Sequence, residues 1–200
     1  MSINIKKYLV FYTPGSAGNF LGAVLQMYLT GYRESFMSTN GDMHDSNRSN
    51  ISAMHESCKL EIIKNFPMAK SVVITCDTDD IGFISTMHFY KQLKPNWNID
   101  IYNLLPSSST WPDFNKGVDD PMIKQGLVDV ISIWAQKWTN TDTSLADCII
   151  PFKTVLGLND TSLNEVVSNF LNMPPDKEIN NFIIHYQTYN KNLYASSTNN

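Results

Sequence analysis

Three short runs of the chain are rich in apolar and β-branched residues, and the stretches between them repeat apolar residues at helical spacing. Tyr-Leu-Val-Phe-Tyr at residues 8–12, Lys-Ser-Val-Val-Ile-Thr-Cys at residues 70–76 and Cys-Ile-Ile-Pro-Phe at residues 148–152 read as strands. The first is apolar on both faces, which suits a strand covered on both sides, and the second is strongly β-branched. Between them the pattern predicts helices over residues 19–29, closed by Thr30-Gly31, and over residues 51–65, with Ile51, Met54, Cys58 and Ile62 on one stripe. Further helices are predicted over residues 79–93, with Asp77, Thr78 or Asp79 as cap, and over residues 121–137, with Pro121 at the start. The last two are predicted over residues 163–171, capped by Asp160 or Thr161, and residues 177–194. Residues 35–50 are rich in Asn, Asp and Ser and read as a surface loop. Residues 94–116 read as irregular, with a short strand at 99–102 and a Ser-rich turn at 107–110.

Strands alternating with helices predict an α/β fold: three α/β/α layers around a central, mostly parallel sheet. No repeat or linker divides the chain. One domain over residues 1–194 and a disordered tail at 195–200 is the expected organisation.

The first strand runs into Thr13-Pro14-Gly15-Ser16-Ala17-Gly18-Asn19-Phe20. A glycine turn opening a helix exposes backbone N–H groups at the positive end of the helix dipole, a favourable place for a phosphate. Gly15, Ser16, Ala17, Gly18, Asn19 and Phe20 are therefore the candidate cofactor-binding residues, with Ser16 and Asn19 able to add side-chain hydrogen bonds. A strand, glycine turn and helix also occur in α/β folds that bind no phosphate, and the turn alone does not choose. It lacks the lysine of a Walker A loop. Its glycines at 15, 18 and 22 miss the dinucleotide spacing by one residue, and no acidic residue ends a clear second strand. A Rossmann-type oxidoreductase is thus the weaker alternative.

Charge narrows the choices. The formal net charge is −4, from 15 basic and 19 acidic residues, which argues against broad nucleic-acid binding. Only Arg33 and Arg48 can offer an arginine fork to a phosphate. Cys58, Cys76 and Cys148 have neither metal spacing nor a disulfide framework, and the four histidines lack a HExxH pattern, so no metal site is expected. No stretch is long enough for a transmembrane helix or reads as a signal peptide, and a reduced, cytoplasmic protein is expected. Trp134 and Trp138, four apart, read first as a helix core face and second as a stacking platform. Tyr186, Tyr189 and Tyr194 are expected to pack the last helix onto the sheet.

Three segments in order resemble the sulfotransferase family. Pro14-Gly15-Ser16-Ala17-Gly18-Asn19-Phe20-Leu21 is similar to its strand–loop–helix phosphate turn. Thr75-Cys76-Asp77 followed by Ser85-Thr86-Met87-His88-Phe89-Tyr90 is similar to its second unit, in which a serine follows an arginine by eight residues. Asp147 to Lys153 followed by Leu163 to Leu171 is similar to a later strand, acidic turn and helix. The resemblance implies a P-loop-containing fold and 3′-phosphoadenosine-5′-phosphosulfate as co-substrate. Sulfuryl transfer would go to a hydroxyl of a small molecule or glycan. It also implies that Ser85 holds the 3′-phosphate and that a histidine before the second core strand, here His55, acts as base, with Glu56 and His44 behind it. The family's loop lysine falls on Gly15 and its arginine on Asp77, and its C-terminal phosphate loop corresponds to Asn190-Lys191-Asn192. Those departures support the other reading: an inactive nucleotide- or protein-binding module of the same fold. From the residues alone, Asp77 can equally be a helix cap, His55 an ordinary residue at a helix start, Ser85 a serine bonded back to its own helix, and His88, Phe89 and Tyr90 packing residues.

Overall fold

A computed structural model of the chain describes residues 7–13, 15–31, 47–48, 50–54, 58–89, 121–137, 139 and 143–198. The three apolar runs form strands β1 (Tyr8–Phe11), β4 (Lys70–Thr75) and β5 (Cys148–Pro151). Two more, β2 (Asn47–Arg48) and β3 (Ile51–Met54), lie between the first and second of them. The sheet order is β2-β3-β1-β4-β5. β3, β1, β4 and β5 are mutually parallel, and β2 pairs antiparallel with β3. In register, Tyr8 stands between Ile51 and Lys70, and Val72 beside Cys148.

Side chains alternate across a strand, so each central strand feeds two cores. Val10, Tyr12, Val72, Ile74 and Ile150 point into the larger one, shared with helices α1 (Gly18–Thr30), α3 (Thr78–His88), α5 (Phe152–Val155), α6 (Leu163–Leu171) and α7 (Lys177–Thr198). Leu9, Phe11 and Val73 point into the smaller one, beside Cys58 and residues of α2 (Leu60–Lys64). Helix α4 (Pro121–Gln136) packs on α3. The architecture is an α/β fold with a small parallel sheet at its centre.

The helix predicted over residues 51–65 is not one element. Its first residues are β3, and only Leu60–Lys64 are helical. Ile51 and Ala53 are buried while Ser52 and Met54 are half-buried, the period-two signature of a strand, and ladder bonding to β1 decides the conformation. Met54, Cys58 and Ile62 still share one core, reached from a strand, a turn and a helix instead of one helical stripe. Asn47–Arg48 pairs as β2 within the stretch read as loop. Ser162, and neither Asp160 nor Thr161, caps α6, its hydroxyl accepting from Glu165 N–H. α5 had no counterpart in the pattern, and α7 continues helical through Thr198, past Tyr194. Gly31 closes α1 in the left-handed conformation, its N–H donating to Met27, as the Thr30-Gly31 ending predicted.

Tyr186 is buried against Phe20 of α1, with ring centroids 3.7 Å apart and planes within 6°, so the last helix packs on a helix here. Tyr189 is exposed, contrary to its expected packing role. The side chains of Tyr194 and Trp134 lie outside the described residues, as do Trp138, Tyr90 and the expected features of residues 94–116. Among the described residues, no helix is long and apolar enough to cross a membrane.

Candidate functional site

The carboxyl ends of the parallel strands β1, β4 and β5 lie on one edge of the sheet, and the segments that follow them start there. After β1 the chain makes a tight turn in which Ser16 N–H and Ser16 Oγ both bond the Thr13 carbonyl, at 2.9 and 2.7 Å. Gly15 and Ala17 both have positive φ, +87° and +63°. Only glycine adopts such a value freely, and Ala17 is held there as the N-cap of α1. Alanine offers no acceptor, so the N-cap residue's own side chain does not cap α1. The first N–H groups of a helix have no intrahelical partner, and here nothing of residue 17 covers them.

The glycines earn their places by packing. A Cβ on Gly18 would lie within the ring of Tyr12, which stacks on the start of the helix and donates its hydroxyl to Asn19 Oδ1 at 3.1 Å. A Cβ on Gly15 would stand 2.7 Å from Ile84 of α3. Ser16 is fully buried and Phe20 lies in the core. Of the candidate phosphate residues, Gly15 is exposed and Ala17 and Asn19 are partly so.

The turn after β4 faces this one. The Thr13 and Ser16 hydroxyls lie within hydrogen-bonding reach of the Cys76 thiol. Burial pushes that thiol up to about 12 against their pull, with Asp80 and Asp77 adding to the rise. Such a thiol stays protonated and is not a nucleophile. Next in sequence, Asp77 caps α3. Its Oδ1 accepts from Asp80 N–H at 2.8 Å, and Asp80 Oδ2 accepts from Asp77 N–H at 2.9 Å, a reciprocal capping box.

The turn after β5 supplies a cation that the sequence patterns did not single out. Lys153 Nζ lies 2.7 Å from Asp77 Oδ2 and 3.9 Å from Asp80 Oδ1. The bond from Lys153, then the Asp80 N–H, holds the Asp77 carboxyl below the usual range. Burial raises that of Asp80. The bond to Asp77 raises the Lys153 ammonium. Lys153 was legible in principle, because it follows the carboxyl end of a predicted strand, where α/β folds place ligand groups.

Ser85 is fully buried on α3, where its hydroxyl donates to the Ile81 carbonyl at 2.7 Å and accepts from Ser132 Oγ of α4 at 2.8 Å. The first bond stays within α3, the role open to a helical serine from its own backbone, and the second ties α3 to α4. Phe89 is buried, as a packing residue is. His55 and Glu56, with Pro14, Arg33 and His44, lie outside the described residues, as do the side chains of Arg48 and His88. The structure therefore sets Ser16 beside Cys76 and Gly15 against Ile84 of α3, joins Asp77 and Asp80 to Lys153, and leaves Ser85 between two helices. No family model, curated protein or solved structure matches the chain.

Proposed function

We propose that the chain binds the phosphate end of a nucleotide in the crevice outside the carboxyl ends of β1 and β4, as a nucleotide-binding module. The strand order carries this reading. From β1 the chain goes to β3 on one side, and from β4 it goes to β5 on the other. The connections diverge between β1 and β4, and open α/β sheets take their ligands at such a divergence. The turn that stands there leads into the uncapped start of α1, whose amides and dipole favour an anion. Binding would fall to the exposed backbone of Gly15, Ala17 and Asn19.

Sulfuryl transfer from 3′-phosphoadenosine-5′-phosphosulfate to a hydroxyl acceptor is the second reading. One observation favours it. β3 ends at Met54, whose carbonyl accepts the Tyr12 N–H at 3.1 Å, so the strand that leads directly to His55 in sequence ends level with the phosphate turn. Against it, the position of the family's phosphate arginine is the cap of α3, a carboxylate already bonded to Lys153.

Calorimetric titration with 3′-phosphoadenosine-5′-phosphate, ATP and NAD tests both readings. Heat is expected with the first two and none with NAD. Ala17→Asp should abolish it by setting a carboxylate where the phosphate docks. The same charge at a helix start should hold or raise stability by about 0.3–1 kcal/mol, so loss of binding will not reflect loss of fold. No heat with any nucleotide would refute the proposal. The second reading further requires sulfuryl transfer to a hydroxyl that His55→Ala loses while nucleotide binding persists.

A further inference from the structure

The end of the sheet away from the crevice carries Met68, at 81% exposure the most exposed large apolar side chain among the described residues. It stands at the tip of a well-anchored turn. Phe66 N–H donates to the Ile63 carbonyl and Ala69 N–H to the Phe66 carbonyl, both at 2.9 Å, so residues 66–69 close a β-turn between α2 and β4. Pro67 takes the second position of that turn, where its fixed φ stiffens the bend. Phe66 and Ala69, on either side, pack into the smaller core. The fold thus fastens both feet of the turn and leaves a thioether in water at its tip.

Lysines surround this tip. Lys64 is the last residue of α2 and Lys70 the first of β4, and both are exposed. Lys70 N–H donates to the Lys7 carbonyl at 2.9 Å, which sets the exposed Lys7 beside it, just before β1. Lys70 Nζ lies 5.5 Å from the centre of the Phe170 ring. Among the described residues, none of the three ammonium groups has a carboxylate partner. The acidic residues on the same elements are Glu61 of α2 and, just before β5, Asp147, whose Oδ2 is already bonded to Ser71.

An apolar tip among unpaired lysines suits a surface that is anionic at its face and apolar beneath. Anionic lipid headgroups attract each ammonium, and a methionine can enter the acyl boundary below them. An acidic protein surface would match the lysines and offer Met68 nothing. The net charge of −4 does not oppose such a contact, because charges more than about 8 Å away are screened at physiological salt. The opposite edge, about 20 Å away along β4, carries Asp77, Asp79 and Asp80 against Lys153. An anionic surface repels that edge, so the molecule would dock one way round, with the crevice facing solvent.

We propose that the corner formed by Lys7, Lys64, Lys70 and Met68 docks the protein on an anionic phospholipid surface, the lysines meeting headgroups and Met68 entering between them. Docking of this kind is reversible and does not depend on what the crevice binds.

The test is co-sedimentation of the full chain at low ionic strength with vesicles of equimolar phosphatidylcholine and phosphatidylserine, and with vesicles of phosphatidylcholine alone. The first should retain the protein and release it as salt rises, and the second should not retain it. Lys64→Gln/Lys70→Gln should weaken retention roughly 10- to 30-fold, since each lysine near such a surface contributes about five-fold. Met68→Ser should weaken it roughly 3- to 10-fold. Lys153→Gln/Lys191→Gln, the same charge change at the carboxyl edge and well along α7, should leave it within about two-fold. No retention of the unmodified chain, or equal retention on both vesicles, would overturn the proposal. Equal losses in the two double variants would also overturn it, by reducing the effect to net charge. Unchanged retention in Met68→Ser would overturn the insertion. Capture on immobilised polyglutamate without retention on vesicles would assign the corner to an acidic protein instead. Urea midpoints of the variants check that the fold is intact.

Discussion

A single methyl group on Gly18 would have to share space with the Tyr12 ring, which lies flat on the first turn of α1. Gly18→Ala should therefore cost about 1–3 kcal/mol, the usual penalty for overfilling a packed site, read as a fall in the urea midpoint. Tyr12→Leu made with it should recover part of the loss, because the smaller side chain vacates that space; an unaltered midpoint in the single variant would show the ring moves freely. The acidic pair opposite the turn makes a second prediction. Asp77 has its pKa lowered when folded, so its stabilising contribution is complete above its unfolded value near 3.9 and is lost as pH falls through the lower folded value. Asp80 is raised by burial, so its ionisation removes stability as pH rises from that unfolded value through the folded one. Asp80→Asn, which never ionises, should be more stable than the unmodified protein at pH 7. The advantage should shrink toward zero as pH falls to about 4. Asp77→Asn should instead lose its deficit only below that range. Urea midpoints across pH 3–7 check both signs.

At the scale of elements, what could be read in the sequence depends on how much of each conformation is decided locally. β1 and β5 are continuous apolar runs, β4 is built on the β-branched Val72-Val73-Ile74-Thr75, and α1 carries its own stop signal in Gly31, so they were legible. β3 was not, because Ile51, Met54, Cys58 and Ile62 satisfy a helical stripe and only pairing with β1 makes the first two strand residues. The α3 cap was legible to within Asp77, Thr78 or Asp79, and the structure selects Asp77, with Asp80 completing the box. The pairing of Lys153 with that cap was not legible, because the two side chains meet only once β5 is seated beside β4. That seating has its own latch. Asp147 Oδ2 accepts from Ser71 N–H at 2.7 Å and Ser71 Oγ at 3.0 Å, while its own N–H donates to the Ser71 carbonyl at 3.0 Å. Asp147→Ala strips the start of β4 of a charged acceptor and should cost about 1.5–3 kcal/mol. Hydrogen exchange should show amides of β5 opening before those of β1, and equal protection of the two strands would exclude the latch.

Across the whole molecule, the last third of the chain holds the first helix in place, and so holds the glycine turn at its start. Phe20 of α1 stacks on Tyr186 and lies 5.6 Å from Phe182, both on α7. At the other end of α1, Tyr28 donates its hydroxyl to Asn164 Oδ1 of α6 and accepts the Asp176 N–H at 3.1 Å, while Asn164 Nδ2 donates to the Asp176 carbonyl. Asp176 in turn accepts the N–H groups of Glu178 and Ile179 and so starts α7. One buried phenol thereby joins three helices that are distant in sequence. Tyr28→Phe keeps the ring and removes only the oxygen, which leaves Asn164 and the Asp176 N–H each short of a partner. A buried group left unpaired costs about 1–3 kcal/mol, so the variant should unfold at a lower urea concentration by that margin. Because α1 runs unbroken from Gly18 to Thr30, a loosened far end should reach the turn as well. The affinity for 3′-phosphoadenosine-5′-phosphate should then fall in Tyr28→Phe although no atom of Tyr28 lies in the crevice. A stability loss with affinity unchanged would mean that the strand ends alone set the geometry of the turn.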